Sequence, residues 1–92
     1  MSDQQQTPPP LIEFPCDFAI KVMGETQDNF AQTIIALIQT KQVSFDASKV
    51  DMRASAGGKY ISLTCLVYVS SQIELDDIYR LISTHPLVKF TL

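Results

Sequence analysis

From Tyr60 to Val69 the chain alternates without a break, Ile61, Leu63, Cys65, Val67 and Val69 on one side and Tyr60, Ser62, Thr64, Leu66 and Tyr68 on the other. Side chains of an extended backbone project to opposite faces with period two, so this run predicts a strand with one face in a core. A lone strand cannot bury that face. The rest of the chain has to supply neighbouring strands and a covering layer.

It does so in a readable order. Residues 17–24 alternate again, with Phe18, Ile20 and Val22 opposite Ala19, Lys21 and Met23, and Gly24 punctuates the run. Beyond Thr26 and Asp28, either of which suits a helix cap, Phe30, Ala31, Ile34, Ile35, Leu37 and Ile38 recur at helical spacing, which runs out near Lys41 or Gln42. A second strand is expected over 49–54, with Val50, Met52 and Ala54 facing one way and Lys49, Asp51 and Arg53 the other. The pair Gly57-Gly58 then suits a hairpin into the long strand. Ser71 with Glu74 fits a capping box, and Ile73, Leu75, Ile78, Tyr79, Leu81 and Ile82 form the stripe of a second helix, which ends at His85-Pro86. Val88, Phe90 and Leu92, alternating with Lys89 and Thr91, predict a last short strand with the first three facing inward.

The order β-α-β-β-α-β, with right-handed crossovers, is that of an α+β ferredoxin-like sandwich: a four-stranded antiparallel sheet with both helices on one face. At 92 residues and 10.3 kDa the chain holds one domain, expected over 11–92. Residues 1–10, MSDQQQTPPP, read as a flexible leader ending in polyproline.

Bulk numbers narrow the class. An apolar fraction of 46% with 18% charged residues is globular composition, and the longest purely apolar stretches, 34–38 and 65–69, are far short of the roughly 18 residues of a spanning helix. A net charge of −3 gives no general attraction to nucleic-acid phosphates. Cys16 and Cys65, with no CxxC partner, read as reduced thiols. Together with an N-terminus that has neither a cationic leader nor an apolar signal core, they predict a cytoplasmic protein.

The stretch FPCDFAIKVMG, with Phe14-Pro15, Phe18 and Lys21-Val22-Met23-Gly24, followed by SAGGKYIS, with Ser55, Gly58, Tyr60 and Ser62, resembles the YbeD-like family of small bacterial proteins of unknown function. The similarity runs from about Leu11 to Leu92. It implies a ferredoxin-like fold similar to ACT-type regulatory domains, a bacterial cytosolic setting and a lipoate-related regulatory role, with no catalytic residues to carry over.

Several chemistries lack their residues. Catalysis converges titratable groups on a pocket, yet the only histidine, His85, falls at a helix end, where it is expected to favour the negative end of the helix dipole. Metal binding needs clustered Cys, His or carboxylates, and Cys65 faces the expected core while Cys16 precedes the first strand. Glu74, Asp76 and Asp77 are helix-start acids, and no phosphate-binding glycine motif is present. The chain is therefore read as a non-enzyme without cofactor or metal.

Function is expected on the sheet face that no helix covers. Its candidates are Lys21, Met23, Arg53, Tyr60, Leu66, Tyr68 and Lys89. With Lys49 it gathers four of the seven basic residues against one acid, Asp51, and so tilts positive. Three readings of this face compete: a solvated surface, a contact surface for a protein partner or second copy, and single-stranded RNA binding. The RNA reading lacks the aromatics of the RNP1 pattern in 59–63, so nucleic acid is disfavoured. An ACT-like small-molecule effector site near Gly24, where the missing side chain allows close approach, is the alternative to protein contact.

Overall fold

The computed structural model describes residues 12–92. The polar leader expected over 1–10 lies outside them. Strand β1 (Cys16–Glu25), helix α1 (Phe30–Gln39), strands β2 (Val50–Ala54) and β3 (Tyr60–Val69), helix α2 (Gln72–Ser83) and strand β4 (Phe90–Thr91) follow in order, with a short 3-10 turn (Ala47–Lys49) before β2. The strands form one sheet in the order β2-β3-β1-β4, and every pairing is antiparallel. This is the ferredoxin-like β-α-β-β-α-β sandwich.

The two long central strands set the register. Ile20 lies opposite Cys65 and Val22 opposite Leu63, which places their inward side chains in one layer. Phe30, Ile34 and Ile38 of α1 and Leu75, Ile78 and Ile82 of α2 close over that layer, and all are buried. Each such aliphatic or aromatic side chain contributes about 1.5–3 kcal/mol when withdrawn from water. No polar or charged residue is buried among the described residues. Phe45, on the irregular connection after α1, is also buried there, held by a Gln39 Nε2 donation to its carbonyl at 2.8 Å.

The helix starts differ from expectation in instructive ways. Asn29 occupies the α1 cap position without a side-chain bond, and neither Thr26 nor Asp28 caps it. Thr26 Oγ1 instead donates to the Gly58 carbonyl at 2.7 Å, tying the end of β1 to the β2–β3 hairpin. At α2, Ser71 Oγ accepts the Glu74 N–H at 3.1 Å as a capping box requires, but Glu74 Oε1 reaches one residue further back, to the Ser70 N–H at 2.7 Å. Ile73, counted in the inward stripe, is 75% exposed, because the second helical position turns away from the sheet. His85 Nδ1 accepts the Leu87 N–H at 3.1 Å and so closes the turn after α2, in place of the helix-dipole role expected of it.

Candidate functional site: the open sheet face

Among the described residues, the side chains opposite the core layer meet no helix. Ala19 and Lys21 of β1, Asp51 and Arg53 of β2, and Tyr60, Leu66 and Tyr68 of β3 are exposed, and Met23 is half-buried. The register brings Leu66 beside Ala19, Tyr68 beside Asp17, and Ser62 between Met23 and Arg53. The central part of the face is thus built as the alternation predicts.

Its two margins are not. Lys49 lies in the 3-10 turn, whose Asp46 cap accepts the Ser48 N–H at 2.9 Å, so β2 begins one residue later, at Val50. The Asp46 carboxyl is held below the usual carboxylate range by its hydrogen bonds from the Ser48 hydroxyl and N–H.

On the other margin β4 sits in the opposite register to that expected. Phe90 pairs with Met23 and Thr91 with Val22, while Leu92 exchanges both backbone bonds with Lys21. Phe90 and Leu92 therefore lie on the open face, 52% and 66% exposed, and Thr91 turns inward. The inward places expected for Phe90 and Leu92 are met by Leu87 and Val88, which pack on the core before the strand begins. Both parities of the final segment carry apolar residues, so periodicity alone could not choose between them.

The charge balance changes accordingly. β1 runs over Cys16–Glu25, and Asp17, already within the expected strand, and Glu25, added by its extension, share the open-face parity of Ala19, Lys21 and Met23. Arg53 Nε lies 3.3 Å from Asp51 Oδ2, and Lys89 Nζ lies 3.5 Å from Glu25 Oε2. The positive tilt expected from Lys21, Lys49, Arg53 and Lys89 is absent. What distinguishes the face is apolar: Leu66 and Tyr68 at one end, and Met23, Phe90 and Leu92 along β1 and β4.

Gly24 has a structural explanation. A Cβ there would come within 2.4 Å of the Leu87 carbonyl oxygen and 2.5 Å of Phe30 Cε1, so the close approach that glycine permits is made by the chain itself. Beside it an open pocket of about 260 Å³ is lined by Met23, Gly24, Ser55, Tyr60, Lys89 and Phe90. The hairpin that carries Ser55 and Tyr60 is self-supporting. Ser55 takes the Gly58 N–H on its carbonyl and the Tyr60 N–H on its hydroxyl, Gly58 adopts φ +74°, and Lys59 Nζ lies 5.5 Å from the Tyr60 ring centroid. Among the described residues no group of three His, Cys, Asp or Glu is placed to hold a metal ion, and no helix is long and apolar enough to cross a membrane.

Comparison with known proteins agrees with this architecture. The family model described as "Protein of unknown function (DUF493)" matches residues 9–92. A UPF0250 protein of Ralstonia nicotianae is 46% identical over 97 residues, covering all of both chains, and one of Nitrosomonas europaea is 40% identical over 82 residues, 89% of this chain and 94% of its own. The solution structure of protein HP0495 from Helicobacter pylori is 26% identical and superposes with a TM-score of 0.71 over 97% of this chain and 98% of its own. The ACT domain of a GTP pyrophosphokinase from Chlorobium tepidum, 14% identical, shares the fold with a TM-score of 0.63 over 83% of this chain and 84% of that one. By both sequence and structure, then, this chain belongs to the DUF493 family, the bacterial UPF0250 or YbeD-like proteins.

Proposed function

We propose that this protein is a non-enzymatic cytosolic binding module whose open sheet face seats a protein partner. The observation that carries the reading is the placement of Leu66, Tyr68, Met23, Phe90 and Leu92 on one uncovered face, interrupted by the exposed Lys21 and bounded by the Arg53–Asp51 and Lys89–Glu25 pairs. Apolar and aromatic side chains within a charged rim are the composition of a contact surface. The two free thiols, Cys65 fully buried, are consistent with a reducing compartment. Immobilised full-length chain should retain partners from its native lysate, and Tyr68→Glu or Leu66→Asp should abolish that retention while the circular dichroism spectrum stays unchanged. Retention unaltered by either substitution would refute the reading.

The pocket beside Gly24 supports a second reading, an effector site for a small carboxylic acid with an apolar body, since Met23, Tyr60 and Phe90 line it and Lys89 stands at its rim. A thermal-shift screen with amino acids and lipoate-type acids checks this: a binder raises the melting temperature, and no shift at millimolar ligand discards it.

A further inference from the structure

β2 is an edge strand with an unusual composition. Its hydrogen bonds to β3 can be counted from the hairpin: the Ser55 N–H donates to the Tyr60 carbonyl at 2.8 Å, and in an antiparallel ladder residues two apart repeat that orientation. Arg53 and Asp51 therefore direct their backbone groups to β3, and Met52, Ala54 and the Val50 carbonyl point outward, where no strand lies among the described residues, while the Val50 N–H is taken by the Ala47 carbonyl of the 3-10 turn. Met52 faces the helix side of the sheet but is 58% exposed, since neither helix reaches over this edge. An open edge with an exposed apolar side chain is a template for pairing.

The geometry points to a second copy of this chain as the occupant: we propose that two β2 edges pair antiparallel about a two-fold axis at Met52, joining two four-stranded sheets into one. The charges select this arrangement. With Met52 opposite its own counterpart, Val50 meets Ala54, outward backbone groups face outward backbone groups, and each Asp51 lies across from an Arg53 on the open face. A slip by one step in either direction that keeps the backbone bonds puts Asp51 opposite Asp51, or Arg53 opposite Arg53. Like charges directly opposite are unfavourable, so one register is attractive and its neighbours repel. The strand is self-complementary, as an isologous interface requires. Pairing shields the two Met52 side chains against each other and makes the open faces of both copies continuous.

Sedimentation velocity on the full chain across a concentration series tests this. The wild type is expected at twice 10.3 kDa. Asp51→Arg and Arg53→Asp each place like charges across both positions and should raise the dissociation constant at least about tenfold. An equimolar mixture of the two variants restores opposite charges and should recover the dimer mass. Met52→Pro deletes an outward N–H together with the exposed Met side chain, leaves the bonds to β3 in place, and should give a monomer with an unchanged circular dichroism spectrum. A monomeric wild type, charge variants that keep the wild-type mass, or a mixture that fails to re-pair would each overturn the proposal. Tyr68→Glu separates it from the partner-face reading: that variant should lose the partner and keep the dimer. A dimer lost with Tyr68→Glu but kept in both charge variants would place self-association on the face and overturn edge pairing.

Discussion

At the scale of single residues, two positions combine sequence identity with a tertiary demand. Gly24 is needed for space, since the Leu87 carbonyl and the Phe30 ring occupy the volume of a side chain. The carbonyl is backbone and cannot swing aside, so Gly24→Ala should destabilise the fold by about 1–3 kcal/mol, read as a lower urea midpoint with an unchanged slope. Cys65 lies at the centre of the sheet, and burial pushes its thiol up from 9.0 to about 11. Above pH 9 the unfolded chain releases this proton while the folded chain retains it, so stability falls as pH rises from about 9 to about 11, by about 2–3 kcal/mol in all. Urea titrations across that range should show the slope, and Cys65→Ala should remove this part of it. Neither demand shows in the residue's own neighbourhood: Gly24 reads as a turn glycine, and the alternation marks Cys65 as inward without saying how completely it is sealed.

At the scale of elements, local chemistry was largely legible. The Ser71 cap is found where the sequence signals it, and Ser71→Ala should cost about 1 kcal/mol, measured as a lowered urea midpoint. The alternation of β1 and β3 predicts their faces because a half-buried strand cannot slip by one residue without inverting its apolar set. The elements misread are those whose local pattern is degenerate. β4 offers apolar residues at both parities, and its register follows from Leu87 and Val88 docking on the core first. Tyr79 fastens the segment's far end: its hydroxyl donates to the Leu92 carbonyl at 3.0 Å, and its ring meets Phe18 edge-on with centroids 6.2 Å apart. Phe45 carries no periodic signal at all, and its burial depends on the path of the connection between α1 and the 3-10 turn.

At the scale of the whole molecule, the two-layer arrangement leaves one sheet face and the β2 edge without cover among the described residues. Because Tyr68 and Leu66 lie outside the core, the substitutions that test the face should cost no more than about 1–2 kcal/mol of folding stability, Tyr68→Glu through the Asp17 it faces, which leaves the chain folded and separates loss of binding from loss of structure. The edge is a distinct surface with its own variants.

Read alone, the amino-acid order settled the sequence of strands and helices and the inward faces of the two central strands, because each is encoded in spacing over fewer than about a dozen residues. Tertiary structure alone decided the register of β4, the pairing of Lys89 with Glu25, the occupation of the space at Gly24 and the exposure of Met52. These depend on which segments from distant parts of the chain arrive beside one another, and no local period records that.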